Sequence, residues 1–145
     1  MMNLKQLLIS QGYVAIPLTP TITQHFEIQA KINGIEGRFI LDTGASNTCL
    51  GFDGIEHFNL KTEFSEIKAS GAGASEMETQ ISKTNLLEIG KWKRKKASIV
   101  LFDLTHVNFA LTQHNISPVH GIIGADILKT GKAIIDYPKK RLFLK

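Results

Sequence analysis

An Asn-Gly pair at positions 33–34 constrains this chain more than any other feature. It follows His25–Ile32, where apolar and polar residues alternate with the period of a half-buried strand. It precedes Arg38-Phe39-Ile40-Leu41, a short run rich in apolar residues. Asn-Gly is a hairpin turn signal, so the two runs are predicted to pair. The return strand then stops on Asp42, and Thr43-Gly44-Ala45-Ser46 follows at once. A strand ending on an acid, before a tight turn of small residues, puts one carboxylate at the mouth of a core. That carboxylate can accept N–H bonds from the turn it starts, or it can do chemistry.

The rest of the chain reads in the same way. Leu4, Leu7 and Leu8 recur at helical spacing and Gly12 ends the pattern, which predicts a short N-terminal helix within residues 1–12. Tyr13–Pro17 reads as a strand stopped by proline. Glu63–Ala69 and Met77–Ile81 alternate around Gly71-Ala72-Gly73-Ala74, predicting a long hairpin with a glycine tip. Leu86–Ile89 and Ala97–Phe102 predict another across Gly90-Lys91. Val107–His114 is a helix candidate, Gly121–Ile123 a short buried strand, and Ala125–Lys129 a helical turn or two. Ala133–Asp136 and Arg141–Leu144 are predicted to pair across Tyr137–Lys140. Many short strands with little helix point to an all-β barrel or sandwich. With 145 residues and no internal linker, the expectation is one domain spanning 1–145. A chain of this size can bury roughly 70% of its unfolded surface.

Composition narrows the function classes. The basic run Lys91-Trp92-Lys93-Arg94-Lys95-Lys96 supplies part of a net charge of +4. It could touch nucleic acid, but a solvated hairpin end is the expected reading, so no nucleic-acid partner is expected. Cys49 is the one cysteine, so no internal disulfide can form. Its apolar neighbours suit a small buried hydrophobe rather than a nucleophile. His106, His114 and His120 fit no metal-ligand spacing, so neither metal nor cofactor is expected. Gly71-Ala72-Gly73 lacks the helix and lysine of a phosphate-binding loop. The apolar patch Leu7–Ile9 is too short for a signal sequence or a span, so a cytoplasmic location without membrane contact is the default.

If Asp42 is catalytic it needs a second acid. Two carboxylates held together cannot both ionise comfortably, so one keeps a proton while the other stays charged. Such a pair can activate a water and protonate a departing amine. Asp-Thr-Gly occurs once, and Asp53, Asp103, Asp126 and Asp136 have different flanks. The partner is therefore expected from a second copy of the chain, since a two-fold axis brings identical residues together.

The stretches Phe39–Ser46, Gly71–Ser75 and His120–Leu128, in this order, resemble the retropepsin-like aspartic proteases: the retroviral proteases and their single-domain bacterial relatives. The resemblance covers roughly Phe26 to Leu144 and implies a closed acid-protease barrel with a flap hairpin, one short helix in the C-terminal half and an extra N-terminal helix. It implies an aspartic endopeptidase acting on peptide or protein substrates as a homodimer. Asp42 becomes the catalytic carboxylate, Thr43 a hydroxyl reaching across the dimer axis, and Gly44 the residue that lets backbone approach the acids. Ala45 and Ser46 border the substrate, with Ser46 also placed to support Asp42. Ala72, Gly73 and Ala74 form the flap that covers the substrate. Ile122-Ile123-Gly124 packs behind the catalytic loop. Retroviral members usually carry an arginine after the late glycine, where this chain has Ala125. Asp126 is expected to serve the positive end of the short helix. A weakly active or inactive peptide-binding or dimerisation module on the same barrel is the alternative.

Overall fold

The computed structural model describes residues 1–71 and 74–145, and the side chains outside 66–77. In chain order it contains α1 (Leu4–Ser10), β1 (Val14–Pro17), β2 (Thr19–Pro20), β3 (Phe26–Ile32), β4 (Ile35–Leu41), β5 (Cys49–Gly51) and α2 (Asp53–His57). There follow β6 (Glu63–Gly71), β7 (Ala74–Ile89), β8 (Trp92–Phe102), α3 (Thr105–Gln113), β9 (Gly121–Ile123), α4 (Ala125–Thr130), β10 (Ile134–Asp136) and β11 (Arg141–Leu144).

The hairpin forms as the Asn-Gly pair predicts. Asn33 and Gly34 both have positive φ, 53° and 84°, and Ile32 faces Ile35 across the turn. Along β3, Ile28, Ala30 and Ile32 point inward while Gln29 and Lys31 face solvent. On β4, Phe39 and Leu41 join the same core. Ile40 points the other way but is also buried, under Leu111 and Val119. The end of β4 is therefore covered on both sides, which explains why the apolar run is continuous there.

Six strands close into a barrel in the order β3-β4-β9-β5-β8-β7, with β7 returning to β3 at Ile32–Leu87. Phe39, Leu50, Leu87, Ile99, Leu101 and Ile123 fill it and are fully buried. Burying each such side chain is worth about 1.5–3 kcal/mol. The connection to the site is the parallel pairing of β4 with β9, which aligns Leu41 with Ile123. Within the protein, β11 lies between β1 and β10, so both chain ends pair in cis.

Several expectations need adjusting. Met77–Ile81 and Leu86–Ile89 are one long strand, β7, rather than two. The break in alternation that separates them is an irregularity at Ser82–Asn85, where Thr84 has φ 66°. Asn85 is buried there and satisfied: its amide donates to Ser82 and to the Ala97 carbonyl, and its side-chain oxygen accepts from Asn33. A local polar plug of this kind interrupts the period without ending the strand. The C-terminal half holds α3, over the Val107–His114 helix candidate, and α4, the short helix that the resemblance implies. The short β2, β5 and α2 carry no periodicity long enough to read. The helix α1 forms at the expected place, closed by reciprocal bonds between Asn3 and Gln6. It docks through Leu8 alone, while Leu4, Leu7 and Ile9 stay exposed. The basic run lies at the start of β8, with Lys93–Lys96 exposed. Trp92 is buried, and its indole N–H donates to the Lys145 carbonyl.

Candidate active site

Asp42 sits at the end of β4, half-buried, at the rim of the barrel. Its backbone N–H donates to the Ile123 carbonyl at 3.0 Å, extending the β4–β9 pairing by one residue. Its carboxylate accepts the Gly44 N–H at 2.9 Å, and its carbonyl accepts the Ala45 N–H at 3.2 Å. The loop thus bends back and presents the acid outward. The Ala45 carbonyl then accepts the N–H of Ala125, the first residue of α4, at 2.7 Å. Gly124 is required at this crossing: a Cβ there would lie 2.7 Å from the Asn47 carbonyl oxygen and 2.8 Å from that of Ala45. Ile123 and Gly124 therefore do stand behind the Asp42 loop.

Thr43, Gly44 and Ser46 are exposed in the single chain. Thr43 borders a shallow groove of about 320 Å³ with Ala125, Leu128, Ala133 and Ile135, rimmed by Lys129 and Lys132. Among the described residues, Asp42 receives its one side-chain bond from Gly44; Ser46 is not a partner. β6 and β7 run as a long hairpin with Gly71 opposite Ala74. Ala72 and Gly73, and the side chain of Ala74, lie outside the described residues. Cys49 is partly buried and its thiol donates to the Asn47 carbonyl. Burial first, then the nearby Asp126 and Asp42 charges, push its pKa up to about 12, which disfavours the thiolate that a nucleophile needs. Among the described residues no three His, Cys, Asp or Glu side chains gather as a metal site, and no helix is long and apolar enough to cross a membrane.

The family model for aspartyl proteases matches residues 28–127, which include the Asp42 loop, β9 and the start of α4. This chain belongs to the aspartyl protease family. Its fold is retropepsin-like. The retropepsin-like aspartic protease of Rickettsia conorii superposes with a TM-score of 0.57 at 20% identity, over 91% of this chain and 90% of that one. EIAV protease, solved with the inhibitor HBY-793, gives 0.56 at 20% identity, over 81% and 98%. The retroviral protease-like domain of Ddi1 from Leishmania major gives 0.56 at 14% identity, over 82% and 86%. No curated protein sequence matches the chain.

In this aspartyl protease family member the loop is held by a residue that the sequence does not flag. Thr48 is fully buried. Its hydroxyl donates to Asp126 Oδ1 at 2.8 Å and accepts the Gly124 N–H at 3.0 Å. Its own N–H donates to the same Asp126 oxygen at 2.9 Å. Asp126 also accepts the Ile127 N–H, so it does favour the start of α4, but its larger task is to clamp the Asp42 loop onto that helix. Asp126→Ala should cost about 2–3 kcal/mol, because hydrogen bonds to an acceptor of this kind are lost and the Thr48 N–H is left unpaired. Asp126→Asn, which keeps an acceptor oxygen, should recover most of it in urea unfolding.

The far end of the same strand pair carries a histidine that must be neutral. His120 Nδ1 accepts the Arg38 N–H at 3.0 Å, while its backbone N–H donates to the Arg38 carbonyl at 2.8 Å. His57 stacks on it, with centroids 4.4 Å apart. Burial, then the neighbouring His57 and Arg38, hold its pKa below the ordinary value near 6.5. Unfolded chains take up this proton at a higher pH than folded ones. Stability is therefore greatest above about pH 6.5 and falls as pH drops from there towards the lowered folded value. Melting temperature followed from pH 7.5 to 5 should show this decline, and His120→Gln, which offers an acceptor with no proton to gain, should flatten part of it.

Proposed function

We propose that the chain is an aspartic endopeptidase that works as a homodimer, hydrolysing peptide bonds with a water held between two Asp42 carboxylates. The observation that carries this reading is the Asp42 loop: one acid, braced from behind by β9 and α4 yet open at the barrel mouth. Asp126, the other acid whose charge reaches Cys49, has its Oδ1 taken up by Thr48 and the start of α4. The exposed Thr43 and the apolar groove beside it supply a surface on which a second copy can seat. In the pair, the ionised carboxylate takes a proton from water as its oxygen attacks the peptide carbonyl. The protonated carboxyl gives its proton to the carbonyl oxygen. Collapse of the tetrahedral intermediate breaks the C–N bond: the departing nitrogen takes the proton that the first carboxylate had accepted from water, and the second carboxylate takes back a proton from a hydroxyl of the intermediate, which restores the pair. No covalent bond to the enzyme forms. The substrate lies extended under the β6–β7 hairpin, with Ala45 and Ser46 along it, and binds as an added strand.

Specific activity should rise with chain concentration, in step with dimer mass in sedimentation. Activity that stays constant in a purely monomeric sample would sink the dimeric mechanism. A second reading, a peptide-binding module that cleaves little, draws support from β11. That strand is already paired on both sides by its own chain, so it offers no free edge for a partner's strand. A chain that stays monomeric at high micromolar concentration, binding peptides without cutting them, would favour this alternative.

A further inference from the structure

A second concavity lies at the end of the β4–β9 pair remote from Asp42. It is a cleft of about 860 Å³ between α2, α3 and the segment leading into β9. Leu104 and Val119, both buried, form part of its lining. Phe52 and Phe109 stand at it as large exposed rings, 39% and 64% accessible. Single exposed apolar residues are ordinary, but two aromatic rings lining one cavity are not scattered surface.

The walls of this cleft are fixed before any ligand arrives. Asp103 accepts the N–H and hydroxyl of Thr105, which starts α3. The Asn108 side chain accepts the Val119 N–H at 2.8 Å and donates to the Val119 carbonyl at 3.2 Å, tying α3 to the segment before β9. A preformed cleft loses less entropy on binding than one that must be assembled.

Its charge runs against that of the chain. The protein carries +4, yet no lysine or arginine lines the cleft. Asp53 and Asp103 do, and Asp103 is kept ionised by its bonds to Thr105. The two histidines on the lining are stacked, and His120 is neutral because its Nδ1 accepts a backbone N–H. Two carboxylates beside two exposed rings suit a cation next to an apolar group. Lysine and arginine are held by carboxylates and by ring faces together. His120 is level with Arg38, four residues along β4 from Asp42, or about 13 Å at the rise of a strand.

We propose that this cleft docks a basic–apolar segment of the polypeptide substrate, at a point remote from the bond that is cut. The identity of the occupant as substrate rests on the peptidase reading; the chemistry of the cleft does not.

The test uses the full-length chain carrying Asp42→Asn, so that nothing is cleaved. The probes are blocked hexapeptides that place arginine beside leucine and phenylalanine, and matched peptides with glutamate in place of arginine. Binding is followed by amide chemical shifts. The arginine peptides should shift residues 52–54, 103–109 and 119–120 saturably, bind at least about 10-fold tighter than the glutamate peptides, and weaken with salt. Phe109→Ala removes an exposed ring without touching the core and should weaken binding by about 10-fold; Asp53→Asn should reduce the preference for arginine. Equal binding of both peptide sets, shifts confined to other surfaces, or an affinity indifferent to Phe109→Ala would each overturn the proposal. So would cleft shifts that depend on chain concentration without peptide, since a second copy would then be the occupant. Cleavage by the unmodified chain is assayed separately. Its absence beside intact docking would count against the peptidase reading and leave the cleft assignment standing.

Discussion

Asp42→Asn is expected to lower peptide hydrolysis by about 10⁴-fold or more while leaving the fold intact. General acid–base groups typically contribute 10²–10⁴-fold each, and in a homodimer one substitution removes both the acid and the base. The fold should tolerate it for a specific reason. Among the described residues the Asp42 side chain makes one bond, to the Gly44 N–H, and an asparagine oxygen can accept that bond equally well. The contacts that hold the loop do not pass through that side chain: Asp42 N–H donates to Ile123, Ala45 N–H to Asp42 and Ala125 N–H to Ala45, and Thr48 and Asp126 clamp the loop onto α4. A fluorogenic peptide assay near pH 5, paired with circular dichroism and thermal melting, reads both halves. Activity above about 1% of the unmodified chain, with an unchanged melt, would remove Asp42 from the chemistry.

Much of the barrel is legible because its strands obey period two and end at recognisable turns. Asn33-Gly34 fixes the β3–β4 register, and β4 in turn delivers Asp42 to the rim. What could not be read has physical causes. β5 is three residues long and holds its place by pairing with β8 and β9, not by pattern. The long β7 looks like two strands because Asn85 is buried and satisfied where an apolar residue would be expected. The Thr48–Asp126 clamp joins positions 78 residues apart, so neither residue signals it alone. Thr48 reads as one more small polar residue, and Asp126 as a charge suited to a helix start. The cleft between α2 and α3 is invisible for the same reason: its two phenylalanines and two aspartates come from separate segments.

Gly121→Ala is expected to be the most damaging single change to stability, at about 3–5 kcal/mol. Gly121 lies where β9 crosses β5, facing Leu50 across an antiparallel pair. A Cβ at this position would stand 2.1 Å from the Cys49 carbonyl oxygen and 2.9 Å from a Leu50 methyl carbon. The first neighbour is backbone and cannot rotate away, so the strands must part by roughly an ångström. Overpacking of this kind costs about 1–3 kcal/mol, and sometimes more. Separation also strains the bond from the Gly51 N–H to the His120 carbonyl, and a buried backbone group left unpaired costs about 1–3 kcal/mol further. For a domain of this size, each kcal/mol moves the melting temperature by a few degrees, so a drop on the order of 10 °C is expected. Gly34→Ala is the control. Nothing lies within 4 Å of its added Cβ, and its φ of +84° leaves only backbone strain, about 1 kcal/mol. The comparison separates close approach from conformational freedom as the reason for a glycine. Equal melting temperatures for the two variants would show that β9 and β5 are not packed at this distance. The consequence then reaches Asp42, whose N–H depends on the Ile123 carbonyl two residues further along β9. A displaced β9 should lower activity even below the melting transition, where the rest of the barrel is still folded.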